Sequence, residues 1–431
     1  MKKRTSEKKC AVSRRDFIKA SAAVSLAALT SGTKYVFAAG SDKLRVGLIG
    51  CGRRGTDAVK NCLDASDGVE IVAMGDVLKD RLDSSLSELK KAGGDRIKVT
   101  GDTCFIGFDA YKKVIAGDVD MVILTTPPHF RPAQFKAAVE AGKHVFMEKP
   151  LGVDPVGVRS VFTSAELAKK KGLSVVVGAQ RRHQPHYLEI MKRIHGGAIG
   201  QIVTAQCYWN WDQMNWHFYH RKPEWSDMEW QIRCWPYFTW LSGDHIVEQH
   251  LHNIDVINWA LQAHPVKALG MGGREVRTSP EYGNIYDHFA VDFEYPNDVH
   301  VMSMCRQMER CTGQISERVV GTKGWAYTDS VNGYIEGPNA YKYEGPNLDP
   351  YVAEHADLIA SIREGKPLND ARQVAESSLT AIMGRMSAYT GRALKWDWVM
   401  KASKLDLSPP KYEFGDLPVR PVAIPGKTRL I

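Results

Sequence analysis

The sequence predicts an α/β protein with a doubly wound parallel sheet in its N-terminal part and an α+β domain with an open, mainly antiparallel sheet in its C-terminal part. Two observations predict this class. Apolar, β-rich runs alternate with helical patterns over residues 44–180, which is typical of a parallel sheet covered on both faces. After residue 181, several strands follow one another at hairpin spacing. A length of 431 residues suits two domains.

The elements of the first half follow from the apolar runs and the helical patterns between them. The predicted strands are 44–49, 69–75, 97–99, 120–125, 144–147 and 174–178. The predicted helices are 53–64, 78–92, 108–116, 131–141 and 155–171. Each helix connects two strands, so consecutive strands are expected to run parallel.

The second half has a different organisation. The predicted helices are 185–195, 244–262, 350–364 and 371–391. The predicted strands are 199–211, 266–276, 288–295, 300–306, 313–321 and 324–329. The Pro-rich C-terminal end predicts an extended arm, packed either on its own subunit or on a neighbour. The predicted organisation is a signal peptide at 1–38, a dinucleotide-binding Rossmann domain at 43–180, a substrate-binding domain at 181–395 and a C-terminal tail at 396–431.

The N-terminus carries an export pattern. Residues 13–19 read S-R-R-D-F-I-K, which is typical of a twin-arginine signal, and a short apolar run follows. We therefore expect export to the periplasm, with no membrane anchor after processing. Residues 1–38 hold nine basic and two acidic residues and so carry +7 of the total charge of +8. The remainder is near neutral, which argues against nucleic-acid binding.

A glycine-rich turn joins the first predicted strand to the first helix. Gly50, Gly52 and Gly55 form a G-x-G-x-x-G motif, in which the backbone can approach a pyrophosphate at a helix N-terminus. Asp76 ends the second strand, where a carboxylate binds the ribose hydroxyls of NAD and disfavours the extra phosphate of NADP. Arg53, Arg54 or Arg81 could offset that repulsion, so NAD is preferred and NADP is not excluded. Alternatively, Asp76 only caps the next helix.

Two further strand ends lie at the same edge of the predicted sheet. Strand four is followed by Thr126, Pro127 and His129, and strand five by Glu148 and Lys149. Ligands of open α/β sheets bind at this edge, so these residues are candidate cofactor contacts.

Together these motifs resemble the Gfo/Idh/MocA family of sugar and polyol oxidoreductases. The resemblance is carried by V-G-L-I-G-C-G at 46–52, T-P-P-H at 126–129, A-G-K-H-V-F-M-E-K-P at 141–150 and V-G-A-Q-R-R at 177–182. It implies that Lys149 points toward the nicotinamide and the substrate, and that Glu148 touches the cofactor. It also implies that Gln180 contacts the cofactor and Arg182 the substrate.

The family's second signature, D-x-G-x-H-x-x-D, is similar to residues 248–255 here. By this resemblance His252 is the catalytic histidine, while Glu248 replaces the usual Asp and His250 the usual Gly. Neighbouring polar groups are candidate substrate contacts, namely His245, Gln249 and Asp255. A zinc site formed by His245, Glu248 and His252 is the alternative, but hydride transfer needs no metal, and none is predicted.

An aromatic-rich segment spans residues 208–240 and holds seven of the chain's eleven tryptophans. Flat indole rings such as Trp209 and Trp211 suit the apolar face of a sugar, so both are candidate substrate contacts. An oligomer interface or a satellite core explains the segment equally well.

The predicted function is therefore NAD(P)-dependent oxidoreduction of a sugar, polyol or glycoside, with Lys149 or His252 as the base. Because free NAD should be scarce outside the cytoplasm, a tightly bound cofactor is expected. One alternative is an NAD-dependent glycosidase that works by transient oxidation, elimination and re-reduction. A second alternative is a sugar-binding protein without catalysis. The resemblance also implies a homodimer or homotetramer.

Overall fold

A computed structural model describes residues 43–211 and 216–431 of the chain. Its first sheet contains six parallel strands in the order β3-β2-β1-β4-β5-β6. The strands are β1 (Leu44–Ile49), β2 (Val69–Asp76), β3 (Cys104–Ile106), β4 (Met121–Leu124), β5 (His144–Glu148) and β6 (Val175–Gly178). The helices are α1 (Arg53–Ala65), α2 (Lys79–Gly93), α3 (Ala110–Ala116), α4 (Arg131–Glu140) and α5 (Pro155–Lys171). The predicted signal peptide lies outside the described residues.

Local sequence explains why these elements begin and end where they do. Strand β4 is buried along its whole length, as expected for a central parallel strand covered on both faces. Helix α5 begins with a proline, and the side chain of Asp154 caps it by accepting a hydrogen bond from the Gly157 N–H. It ends at Gly172, which has a φ of 66° and so occupies the left-handed region that glycine tolerates.

The position of the third strand differs from the prediction. Residues 97–99 do not form a strand; Ile97 makes only a single bridge to Ile71, and β3 starts at Cys104. Ile97 and Val99 are nevertheless buried. Their apolar character thus reflects packing rather than strand pairing, which short apolar runs do not distinguish.

The second sheet contains nine strands in the order β14-β13-β12-β11-β7-β10-β9-β8-β15. Strands β7 and β10 pair in parallel, and the other neighbours are antiparallel. The strands are β7 (Ile202–Trp211), β8 (Lys267–Gly273), β9 (His288–Tyr295), β10 (Val299–Gln307), β11 (Gln314–Gly321), β12 (Gly324–Thr328), β13 (Gly333–Glu336), β14 (Tyr341–Lys342) and β15 (Leu394–Lys395). The predicted fold class is confirmed.

The described residues of the second half also form helices. They are α6 (Pro185–His195), α7 (Asp227–Arg233), α8 (Thr239–Ser242), α9 (His245–Glu248), α10 (Leu251–Leu261), α11 (Pro350–Arg363), α12 (Ala371–Thr390) and α13 (Trp396–Lys401). The prediction of a single helix over 244–262 is wrong, because the helix is interrupted between α9 and α10. No helix within the described ranges is long and apolar enough to cross a membrane.

The aromatic-rich segment contributes to a second, smaller core. Trp230, Phe238 and Trp240 are buried together with Leu78 and Val153. Since Leu78 and Val153 belong to the part of the chain that forms the first sheet, this core joins the two halves. Of the three readings of the segment, the satellite core is therefore present in the structure.

The C-terminal tail packs on its own chain after α13. The Asp154 carboxylate accepts a hydrogen bond of 2.8 Å from the Leu407 N–H, and the Tyr412 hydroxyl lies 2.8 Å from Nε2 of His129. His129 is buried against Trp240, with ring centroids 5.0 Å apart. Burial lowers the pKa of His129 to about 4.

The buried histidine predicts a pH-dependent stability. An unfolded His129 takes up a proton below about pH 6.5, whereas the folded one stays neutral down to about pH 4. The free energy of unfolding therefore keeps the full contribution of neutral His129 above pH 6.5. It loses about 3 kcal/mol of this contribution as the pH falls to 4. We expect His129→Phe to show a shallower decline of unfolding free energy over this range in urea titrations. The exposed His220→Gln should follow the wild type, and an unchanged slope for His129→Phe would contradict this assignment.

Candidate active site

The glycine-rich turn has the tight geometry that its sequence predicts. Gly50 has a φ of 97°, and a Cβ atom there would approach the Thr126 amide nitrogen to 2.6 Å. A Cβ atom at Gly55 would collide with the Gly50 carbonyl oxygen. At Gly52 nothing lies within 4 Å of a Cβ position, so the turn presents open backbone at the start of α1. This is the arrangement that allows a phosphate to approach a helix N-terminus.

Asp76 lies at the end of β2 beside this turn. One of its carboxylate oxygens accepts a hydrogen bond of 2.6 Å from the Cys51 N–H, and the other accepts one of 2.8 Å from the Leu78 N–H. Burial raises the pKa of Asp76 above its ordinary value. Each oxygen keeps a second lone pair, so the carboxylate retains the capacity to accept from ribose hydroxyls. Its bond to the Leu78 N–H precedes the first turn of α2, so Asp76 does not cap that helix.

A cavity of about 950 Å³, counting the solvent at its mouth, opens at this edge of the sheet. Seven of the predicted cofactor residues line it: Gly50, Gly52, Arg53, Arg54, Asp76, Thr126 and Pro127. Gly55 lies beneath the turn, where it permits the close packing described above.

Lys149 joins the end of β5 to the end of α9. Its Nζ donates to the carbonyl oxygen of Glu248 at 2.6 Å and to the Glu248 Oε1 at 3.0 Å. Both side chains are less than one-tenth exposed, so the ion pair is shielded from water. The peptide bond between Lys149 and Pro150 is cis.

This contact accounts for the break in the predicted helix. In a continuous helix the Glu248 carbonyl would accept from the His252 N–H, but that N–H donates to the Gln249 carbonyl instead. The carbonyl freed in this way accepts from Lys149. The sequence could not reveal the break, because its cause lies 99 residues away in the chain.

His252 begins the first turn of α10 next to this pair. Its ring is stacked on Trp209, with centroids 5.6 Å apart and planes inclined by 23°. Burial, and after it the charges of Lys149 and Arg181, hold the pKa of His252 well below its ordinary range. The imidazole is therefore neutral and able to accept a proton. Trp211 meets the edge of Trp209 at 6.0 Å.

Arg54 connects the glycine turn to Glu148. Its Nε donates to the Glu148 Oε1 at 2.5 Å, and its Nη2 donates to the Glu354 Oε1 at 3.3 Å. The guanidinium also lies over the ring of Tyr351, whose hydroxyl accepts from Gln180 at 3.3 Å. Neither Glu354 nor Tyr351 was predicted, since an ordinary amphipathic helix carries no signal of such a role.

The remaining predicted residues are held by protein partners. Arg182 and Asp255 form a bidentate pair, with N–O distances of 2.8 and 2.9 Å. Gln249 donates to the Glu248 Oε2 at 2.5 Å. Besides Gly55, twelve of the predicted site residues do not reach the cavity lining, namely His129, Glu148, Lys149, Gln180, Arg182, Trp209, Trp211, His245, Glu248, Gln249, His252 and Asp255. His129 packs against the tail, and His245 is buried against Phe289 with neither ring nitrogen bonded within the described part of the chain.

The described residues contain no cluster of three or more His, Cys, Asp or Glu side chains arranged to hold a metal ion. His245, Glu248 and His252 therefore do not converge as ligands in this structure. The segment rich in tryptophan contributes five residues to the cavity that the prediction did not place there: Trp216, His217, Ile232, Arg233 and Trp235.

Comparison with known families decides the class of protein. The model of an oxidoreductase family with an NAD-binding Rossmann fold matches residues 44–179, and the model of the GFO/IDH/MocA C-terminal domain matches residues 187–327. The chain belongs to the Gfo/Idh/MocA family. Its membership confirms the predicted enzyme class, an oxidoreductase, and the predicted cofactor, NAD.

Members of this family with curated names include two relatives from Saccharopolyspora erythraea. The chain is 30% identical to inositol 2-dehydrogenase 3 over 267 residues, which cover 61% of this chain and 68% of that protein. It is 34% identical to inositol 2-dehydrogenase 4 over 165 residues, which cover 38% of this chain and 45% of that protein. The second match thus spans less than half of its relative.

Solved structures show the same fold. One is scyllo-inositol dehydrogenase from Lactobacillus casei with bound NAD(H) and scyllo-inositol. It matches with a TM-score of 0.62 at 16% identity, covering 82% of this chain and 99% of that chain.

Asp76 generates a prediction on cofactor choice. Replacing it by Ser removes a charged acceptor for ribose hydroxyls, so the affinity for NAD should fall about tenfold or more. The affinity for NADP should rise relative to the affinity for NAD. Protein incubated with equal concentrations of both nucleotides is desalted, denatured and assayed for the two by mass. Asp83→Ser, on the exposed face of α2, is the matched control. An NAD:NADP ratio equal to that of the wild type would show that Asp76 does not select the cofactor.

Proposed function

We propose that this chain interconverts a hydroxyl and a carbonyl group on a sugar or polyol, using an NAD molecule that stays bound between turnovers. The observation that carries the proposal is the group formed by Lys149, Glu248 and His252 at the strand edge that also bears the glycine turn. The inositol dehydrogenase relatives support a polyhydroxylated ring as substrate.

Bound at this edge, the nicotinamide supplies the acceptor for the hydride that leaves the carbinol carbon. The ammonium group of Lys149 has three protons, and Glu248 takes two of them. The third can be donated to the substrate oxygen, which holds the hydroxyl in place and stabilises negative charge on it. Neutral His252 accepts the hydroxyl proton as the C–H bond breaks and the C=O bond forms.

Arg54 and Glu354 hold the end of the strand that precedes Lys149. The Arg54 guanidinium holds Glu148 from one side and contacts Glu354 from the other, so the end of β5 is fixed before substrate binds. Such fixed geometry lowers the cost of reaching a reactive arrangement.

The twin-arginine pattern supports retention of the cofactor. If the chain is exported to the periplasm, a released NAD molecule would be lost from the enzyme. The reduced cofactor must then be reoxidised in place, either by a second carbonyl substrate or by returning the hydride to the same sugar. The second route is that of the glycosidase alternative, so the substrate test below includes a glycoside.

Two active-site substitutions test the proposal. Lys149→Ala and His252→Ala should each lower the rate of polyol oxidation about 10²- to 10⁴-fold, because the first removes the hydrogen-bond donor to the substrate oxygen and the second removes the proton acceptor. His264→Ala, whose ring is stacked on Trp396 away from the cavity, is the control. Purified protein is denatured to identify bound nucleotide, and the variants are assayed with a polyol panel and a chromogenic glycoside.

The outcomes separate the hypotheses. Bound NAD with polyol turnover supports the proposal, and glycoside cleavage without added NAD indicates the glycosidase reaction. Folded variants that retain wild-type rates would show that these residues do not carry the chemistry. A protein without affinity for any dinucleotide would indicate a non-catalytic, sugar-binding role.

The outer face of the second sheet supports self-association as a homodimer or homotetramer. Met271 is 74% exposed and Met304 39% exposed, and the strand register places both in one row with Ala290. Exposed apolar side chains grouped on an open sheet face are typical of protein interfaces. A second copy of the same face is the occupant we propose.

Charge placed on this face should separate the subunits. Met271→Glu with Met304→Glu puts like charges opposite each other across the interface, so a monomer is expected by light scattering. Val331→Glu, at an exposed loop, should keep the wild-type mass. An oligomer that persists in the double variant, or a monomeric wild type, would contradict the interface.

A further inference from the structure

Three aromatic side chains from the second half of the chain line the cofactor cavity. Trp216, His217 and Trp235 lie on its surface together with the glycine turn and Asp76 of the first half. We refer to these three residues as the aromatic wall. The sequence pattern suggested that this segment contacts sugar or another subunit, whereas the structure places part of it at the dinucleotide cavity.

The aromatic wall has fixed internal contacts. Trp216 meets Trp235 edge to face with ring centroids 5.2 Å apart, and His217 lies 5.9 Å from Trp235. The Tyr237 hydroxyl donates to the Trp216 carbonyl oxygen at 3.0 Å. Burial, and after it the charges of Arg81 and Arg53, lower the pKa of His217 to about 4. The wall therefore presents an uncharged aromatic surface at neutral pH.

Two residues next to the wall, Tyr219 and Arg233, bind helix α2, which starts three residues after Asp76. Arg233 donates to both carboxylate oxygens of Asp80, at 2.9 and 3.1 Å. Arg81 donates to the Tyr219 hydroxyl at 3.1 Å. The wall is thus held beside the carboxylate that is placed to bind the ribose.

The C-terminal tail contacts helix α7, which precedes Trp235, and one further side chain of the cavity. The Gly415 carbonyl accepts from the Met228 N–H at 3.1 Å, and the Leu417 carbonyl accepts from Gln231 Nε2 at 2.5 Å. Phe108, which also lines the cavity, meets the edge of Phe414 at 5.5 Å. Both the helix that carries Arg233 and the cavity side chain Phe108 therefore contact the tail.

We propose that the aromatic wall binds the adenosine half of the dinucleotide and controls how slowly that nucleotide is released. This inference rests on the proposed function, because it assumes that NAD occupies the cavity. If the glycine turn holds the pyrophosphate and Asp76 the ribose, the aromatic wall, which lines the same cavity as Asp76, would be the surface available to the adenine. Flat aromatic rings bind a base face regardless of its hydrogen-bonding pattern.

Exchange of bound nucleotide tests the inference. Purified protein with its own bound NAD is mixed with an excess of isotopically labelled NAD, and the release of unlabelled NAD is followed by mass spectrometry. Trp216→Ala and Trp235→Ala should each release NAD about tenfold faster, the loss expected for one base-stacking contact. Trp325→Ala is the matched control, since Trp325 lies on the second sheet beside Tyr334 and does not line the cavity.

Two further readouts distinguish a direct contact from damage to the fold. Trp216→Phe and Trp235→Phe keep an aromatic surface and should restore slow release. Trp325→Ala should leave the single-turnover reduction of bound NAD by a polyol unchanged, because Trp325 does not line the cavity.

Failure of this inference differs from failure of the proposed function. If the wild type binds NAD and oxidises a polyol, but all tryptophan variants release NAD at the wild-type rate, the wall does not hold the adenosine. NAD release that stays fast in the Phe variants would also contradict a contact made by the aromatic ring. A wild type that binds no NAD would overturn the proposed function, and this inference with it.

Discussion

The contact between Lys149 and Glu248 determines how the candidate active site is assembled. The Lys149 ammonium group donates hydrogen bonds to both the backbone carbonyl and the carboxylate of Glu248. Because Lys149 follows β5 of the first sheet and Glu248 ends α9 of the second half, the contact fixes these two regions relative to each other. It also interrupts the helix, so that His252 starts a new turn beside the lysine. Removing either partner would leave a buried charge without compensation.

A second buried network stabilises the same strand end from the cofactor side. Arg54 lies between Glu148 and Glu354, and burial together with the Glu148 charge raises the pKa of Glu354 well above its ordinary value. The glycine turn, the end of β5 and helix α11 are therefore connected through one guanidinium. Fixed donors and acceptors of this kind give a reacting group its orientation before substrate arrives.

The parts of the site that the sequence predicted are those encoded by short motifs. The glycine turn, Asp76 and the E-K-P triplet each lie within a few residues of a strand end, where local pattern is enough. The helix break at Gln249 was not predictable, since it depends on a lysine that is distant in sequence. The third strand was misplaced because buried apolar residues at 97–99 resemble a strand whether or not they pair. The polar side chains of His129 and His245 were predicted as ligand contacts. Tertiary packing buries both of them instead.

The role of the aromatic-rich segment could not be predicted from its sequence either. Its composition indicated a surface for a ring, a subunit or a core, and composition alone does not choose among them. The contacts of Arg233 with Asp80 and of Tyr219 with Arg81 place it beside the dinucleotide cavity. Burial of Trp230 and Trp240 then makes the rest of the segment a core.

Transfer of deuterium to the bound nucleotide tests the central claim most directly. The protein with its own cofactor is mixed with a polyol deuterated at its carbinol carbons, and the nucleotide is then released by denaturation and its mass is measured. Recovery of reduced nucleotide carrying one deuterium is the expected result. Nucleotide that stays oxidised and unlabelled, although the polyol is bound, would contradict hydride transfer at Lys149 and His252.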